Sequence, residues 1–231
     1  MSMKQNGRGM MTDSLLHANK TINNLVRCEY NDNAMSTALR FIAEPASSQL
    51  TIDSQHGNGD GMTHLLLGLG HELVSSNTDT WVITAERMLY RHSKELLDWK
   101  KLFDVDWLLI DDINFLFGKP DKLTHPLVEM LALRNKAGKK TIFTVAIEVG
   151  AQPQCLPDKY LELLYSGEVS RLELPSQADK LKIARAMCQQ LDYIPEIKML
   201  TRMVNDAGNI RQLEGLLSRY NAQQGWSLHG F

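Results

Sequence analysis

The sequence predicts a doubly wound parallel α/β sheet. Three features carry that prediction: a continuous apolar strand ending in two carboxylates, a glycine-rich turn between a strand and an apolar helix, and a regular alternation of strand and helix patterns. The strand lies in Val105-Asp106-Trp107-Leu108-Leu109-Ile110-Asp111-Asp112. Five apolar residues in six positions, without polar alternation, suit a strand buried on both faces. In open α/β sheets ligands bind beyond the carboxyl ends of the strands, so Asp111 and Asp112 stand where Mg²⁺ or a metal-held water could be gripped beside a phosphate. A solvated acidic turn would give the same local pattern.

Composition narrows the class. A chain of 231 residues accommodates one large α/β domain and a small satellite. Its 43% apolar and 23% charged content suits a soluble globular protein, and no apolar run approaches the ~18 residues of a membrane span. Met1 to Asn19 is polar and lacks the apolar stretch of a secretory signal, so no membrane and a cytoplasmic location are expected. Cys28, Cys155 and Cys188 are odd in number and far apart, which argues against a disulfide framework or a metal knuckle. With a net charge of -2, any DNA contact would need a local basic patch.

In chain order, residues 1–20 lack periodicity and read as a flexible N-terminal tail. Met35, Ala38, Leu39, Ile42 and Ala43 then share one helical face within Asn33 to Ala43, and Leu50 to Ile52 begins the first strand. The turn that follows, His56-Gly57-Asn58-Gly59-Asp60-Gly61-Met62-Thr63-His64, leads into an apolar helix from Leu65 to Val74. A phosphate-binding loop needs glycines that let backbone amides point inward, a helix N-terminus, a lysine for the terminal phosphates and a hydroxyl for Mg²⁺. Gly57, Gly59, Gly61 and Thr63 meet that need, but the lysine position holds Met62 and the first glycine position holds His56. Losing one charge-assisted phosphate contact weakens binding by about one to two orders of magnitude. A glycine-rich turn without a ligand, with Thr63 capping the helix, fits the same residues. His56 and His64 lack a third ligand at metal spacing.

Thr80 to Thr84 reads as the second strand, Arg87 to Lys101 as one exposed amphipathic helix, Leu123 to Ala137 as a helix stopped by Gly138, and Thr141 to Ala146 as a further buried strand. Beyond Pro175, three helical patterns follow at Asp179 to Leu191, Pro195 to Asp206 and Asn209 to Ala222.

WLLIDDINFLFGK at 107–119, HGNGDGMTHLL at 56–66 and GNIRQLEGLLSRY at 208–220 together resemble the ATPase core of the DnaA/Hda branch of AAA+ proteins. The blocks fall in the family's order from about Thr21 to Tyr220, including Ile22-Asn23-Asn24-Leu25-Val26. The resemblance implies a five-stranded parallel AAA+ nucleotide-binding sheet flanked by helices, with a three-helix lid. It divides the chain into a tail at 1–20, a core at 21–174, a lid at 175–225 and a C-terminal tail at 226–231. It also implies a cofactor set of Gly57, Gly59, Gly61, Met62, Thr63, His64 and the lid arginine Arg211, with Asp111 and Asp112 as the catalytic carboxylates and Thr63 and Asp111 as Mg²⁺ ligands. Without the resemblance, Arg211 reads more readily as a surface side chain than as a phosphate contact.

Three departures from the family pattern point in one direction. Met62 replaces the phosphate lysine, Val145 and Ala146 occupy the polar sensor position after the fourth strand, and Glu162-Leu163 falls at the finger arginine. A finger arginine is worth ~10³ to 10⁵ in phosphoryl-transfer rate, so ATP hydrolysis is expected to be weak or absent. ADP or ATP with Mg²⁺ is expected to bind weakly or not at all. Only eleven residues follow Tyr220, too few for a helix-turn-helix module, and Gln5 lies in a poor match to a sliding-clamp motif. The expectation is an Hda-like regulator or adaptor acting on a replication initiator, another AAA+ protein, a replicative helicase or a sliding clamp, with direct DNA binding weak and oligomeric state open. An ATP-dependent helicase loader and a DNA-binding accessory protein are the alternatives.

Overall fold

The computed structural model describes residues 20–54, 56–57, 59–116, 121–146, 162, 164–190 and 195–228. Five strands, β1 (Gln49–Ser54), β2 (Thr80–Thr84), β3 (Trp107–Asp111), β4 (Lys140–Ala146) and β5 (Glu168–Leu172), form one parallel sheet in the order β2-β3-β4-β1-β5. β1 sits between β4 and β5, with Thr51 opposite Phe143 on one side and Val169 on the other. The chain leaves β1, crosses to the far edge at β2 and returns through β3 and β4, so the turn after β1 lies beside the ends of β3 and β4. The fifth strand has too weak an apolar signal to be read from periodicity: as an edge strand it keeps Val169 and Arg171 exposed. Gly167 precedes it because a Cβ there would lie 2.1 Å from the Gln49 carbonyl oxygen.

Successive strand residues feed two layers. Leu50, Ile52, Val82, Leu109 and Ile142 pack with α1 (Glu29–Ala43) and α2 (Met62–Ser75). Trp81, Ile83, Leu108, Ile110 and Phe143 pack on the other face with residues of α3 (Ala85–Ser93), α4 (Trp99–Asp104) and α5 (Asp121–Lys136). Leu65, Leu66, Leu69 and Leu73 of α2 are all at most 4% exposed, and each such side chain contributes roughly 1.5–3 kcal/mol of burial. α6 (Gln177–Gln190), α7 (Ile197–Asp206) and α8 (Ile210–Leu228) share a third cluster around Ala184, Leu200, Val204, Leu213 and Leu217. Ile183 and Ile210 join it to the first layer.

Several boundaries differ from the sequence expectation. α1 starts four residues before Asn33 because the Asn31 side chain accepts from the Cys28 amide at 2.8 Å and caps the helix. The single helix expected from Arg87 to Lys101 is two. Glu95 adopts φ 58, the amides of Glu95 and Leu96 close back on His92 and Arg91, and Asp98 then caps α4 through the Lys101 amide at 3.0 Å. α8 continues through Trp226 to Leu228, residues expected to be tail. Residues 1–19 of the expected tail, Gln5 among them, and Cys155, Leu163 and residues 229–231 lie outside the described residues. Among the described residues, no helix is long and apolar enough to cross a membrane.

Arg134 is fully buried and fastens the lower end of the sheet. Its guanidinium donates to the carbonyls of Leu102, Phe103 and Val105 at 2.8 to 2.9 Å, to Lys140 at 2.7 Å and to the Thr141 hydroxyl at 3.2 Å. These acceptors flank the starts of β3 and β4.

Candidate nucleotide-binding site

The site begins where β1 turns into α2. Gly57, Gly59 and Gly61 all have positive φ. At Gly61 (φ 105) the left-handed backbone forms the N-cap of α2, with its carbonyl accepting from the Leu65 amide at 2.9 Å. At Gly59 (φ 115) a side chain is excluded twice over, since a Cβ would also lie 2.9 Å from Cγ of Asn209. α2 therefore aims its free N-terminal amides and the positive end of its dipole into the loop, the usual arrangement for holding phosphate.

Met62 follows at the first helical position. Only 4% exposed, it joins the apolar cluster beneath the loop while also lining the cleft. Thr63 turns its hydroxyl to Asp111, donating to Oδ1 at 3.2 Å. Asp111 Oδ1 also accepts from the Thr144 hydroxyl at 2.6 Å, and that hydroxyl in turn accepts from the Asp112 amide at 2.7 Å. The β3 and β4 ladder ends at Ile110 and Phe143. Beyond it side chains replace backbone pairing: Thr144 bridges to Asp112, and Asn114 accepts from the Ala146 amide at 3.1 Å. Asp112 is held at φ 54, unusual for a non-glycine residue. Burial, then the charge of Asp111, raises its carboxyl above the ordinary range, and the Arg211 guanidinium opposes the shift.

The expected residues do not all act in the same place. Gly59, Gly61, Met62, Thr63, His64 and Arg211 line one cleft between the loop, α6, α8 and the segment 20–30. Asp111 meets it through Thr63, and Asp112 senses Arg211. His64, however, places Nε2 2.9 Å from Asn24 Oδ1 and 3.1 Å from the Thr21 carbonyl, fastening the lead-in segment to α2. Burial lowers its pKa, so it is the neutral imidazole that serves there. Of the expected sensor pair, Val145 is buried and Ala146 offers only its backbone amide.

Sequence reading missed Thr144, Asn114 and Asp60. A lone threonine inside the apolar run Ile142-Phe143-Thr144-Val145 was the available signal for the first. Thr63 and Asp111 fit Mg²⁺, because both are hard oxygen donors and Mg²⁺ usually takes one or two carboxylates and completes its shell with phosphate and water. Among the described residues, no cluster of three or more His, Cys, Asp and Glu side chains could hold a metal alone.

The family profile of the bacterial DnaA ATPase domain matches residues 16–153, more than half of the chain. The chain belongs to the bacterial DnaA ATPase domain family. The chromosomal replication initiator protein DnaA of Helicobacter hepaticus is 25% identical over 87% of this chain, and that of Pseudothermotoga lettingae 29% identical over 85%. This DnaA-family chain spans only 45% and 46% of those relatives' length. Domain III of Thermotoga maritima DnaA superposes with a TM-score of 0.78 at 27% identity, covering 91% of this chain and 92% of that one. AMPPCP-bound DnaA from Aquifex aeolicus shares the fold, with a TM-score of 0.75 at 19% identity over 94% of this chain and 68% of that one. The DnaA-family sheet is thus the five-stranded AAA+ sheet with flanking helices.

Proposed function

We propose that this DnaA-family domain is a regulatory or adaptor protein of replication initiation. It takes ADP or ATP weakly, hydrolyses ATP slowly or not at all, and acts in the Hda manner through a protein partner such as the initiator or another AAA+ protein. One observation carries the reading: the cleft keeps Thr63, Asp111 and Arg211 in place but seats an apolar Met62 where the phosphate cation of a loop of this type belongs. Binding then rests on loop amides, the α2 dipole and Arg211, without the loop cation that would add both affinity and charge stabilisation at the terminal phosphate. The Aquifex relative is described as AMPPCP-bound, which supports a nucleotide as the ligand here.

The chain's own residues would divide the work as follows. The loop amides and the α2 N-terminus cradle phosphate oxygens, Thr63 and Asp111 hold Mg²⁺, and Arg211 supplies the lid-side charge. Bound Mg²⁺ would neutralise phosphate charge between them. Glu162-Leu163, at the finger position in sequence, offers no positive charge to a neighbour's site, so stacking on an AAA+ partner would cap that partner rather than activate it.

Calorimetry with ADP and ATP plus Mg²⁺ tests the reading, alongside ATP turnover with and without single-stranded DNA. Weak binding that Met62→Lys strengthens and Arg211→Ala weakens about tenfold, with negligible turnover, is the expected result. Turnover stimulated by single-stranded DNA would instead identify an active loader.

A further inference from the structure

The glycine-rich loop contains a carboxylate that has no place in phosphate binding. Asp60 is 1% exposed, and its side chain faces the start of α8. Its backbone carbonyl accepts from the Tyr30 hydroxyl at 3.0 Å, and its Oδ1 accepts from the Ile210 amide at 3.4 Å. The carbonyl of Gly59 accepts from the Arg211 amide at 2.9 Å.

The first amides of a helix have no partner within it, and here those of Ile210, Arg211 and Gln212 each have a defined acceptor, before Leu213 makes the first helical bond. Leu213 bonds to the Asn209 carbonyl at 3.1 Å and Gln212 to the Asn209 side chain at 2.8 Å, both within the lid. Ile210 and Arg211 bond to the loop of the core instead. A carboxylate at a helix N-terminus is also favoured by the dipole. Buried Lys180 balances the charge: its Nζ donates to the carbonyls of Ala207 at 2.8 Å and Gly208 at 3.2 Å, just ahead of α8. Burial pushes the Asp60 carboxyl up, whereas the Ile210 amide and then the Lys180 charge favour its ionised form.

We propose that Asp60, with the Gly59 carbonyl, clasps the N-terminus of α8 and thereby aims Arg211 at the phosphate end of the cleft. Asp60 is then a positioning residue acting through Arg211, and the lid arginine is set in place before any ligand arrives. The clasp stands on geometry alone. The aiming role rests on the reading above that Arg211 meets the phosphates of a nucleotide.

Hydrogen exchange on the full chain without nucleotide tests the clasp. The Ile210 and Arg211 amides should be protected, and Asp60→Leu should cut that protection about tenfold while amides within α6 and α7 keep theirs. Asp60→Asn, which retains the acceptor, should recover most of it. If Asp60→Leu does not fold, Lys180→Met should weaken protection at the same two amides. ADP binding with Mg²⁺ tests the aiming: Asp60→Leu and Arg211→Ala should each weaken it about tenfold, and the double variant no further. Adenosine binding should not change. Unaltered exchange at Ile210 overturns the clasp, and additive losses overturn the aiming. Failure of the unmodified chain to bind ADP removes the nucleotide reading and the aiming together, while exchange still decides the clasp.

Discussion

Thr63 and Asp111 meet at 3.2 Å although the strands leading to them are not neighbours. β4 lies between β1 and β3, and its Thr144 fills the gap by donating to the same Asp111 oxygen at 2.6 Å. One carboxylate oxygen thus joins the phosphate-loop helix to two strands.

With Met62 in the cation position, Mg²⁺ on Thr63 and Asp111 would be the main counter-charge for the phosphates. Chelating it is expected to weaken ADP binding by at least about tenfold, and Met62→Lys to make binding far less sensitive to chelation. Titrations of a fluorescent ADP analogue with and without EDTA measure both. Equal affinities in the unmodified chain would contradict this account of the site.

Thr144→Val keeps the shape but leaves the Asp112 amide without its acceptor and Asp111 without its shorter donor. We expect a loss of about 1 to 3 kcal/mol in urea denaturation, with Thr144→Ser regaining most of it. The same substitution should loosen Mg²⁺-dependent nucleotide binding, because Asp111 loses its fixed orientation.

His64 makes stability pH-dependent with a definite sign. Burial lowers its folded pKa below the unfolded value of ~6.5, so the unfolded chain binds more protons between the two. Stability should therefore fall as pH drops from about 7 through that window. His64→Gln should flatten the profile, as read by thermal melts at a series of pH values. An unchanged slope would place the acid sensitivity elsewhere.

Arg134→Met should be among the most damaging single changes. It strips several buried carbonyls of their donor at once, and the expected loss is more than about 3 kcal/mol. Denaturant titration of the purified variant reads it directly.

Most of the sheet was legible because β2, β3 and β4 are apolar on both faces and need no context. β5 was not, since an edge strand with Val169 and Arg171 exposed looks like a loop. The split between α3 and α4 was hidden because Glu95 in a left-handed turn leaves no glycine as a marker. At the site, Arg211 is picked out by the family resemblance alone, and the loop glycines, Thr63 and Asp111 carry recognisable chemistry. Thr144 and Asp60 do not: their roles come from which strand end or helix end they face, and that is fixed only when the chain folds.

The two ends of the central strand pair differ in kind. Around Arg134 the starts of β3 and β4 are bound like the spine of a book. At the other end the pages part after Ile110 and Phe143, and among the described residues the side chains of Thr144, Asp111 and Asn114 bridge them. The join between β3 and β4 thus passes from backbone ladder to side-chain bridges toward the cleft. Loss of Thr144 or Asn114 would therefore undo the β3–β4 join at the cleft while the Arg134 end, and the pairing of Asp111 with Thr84 of β2, stay intact.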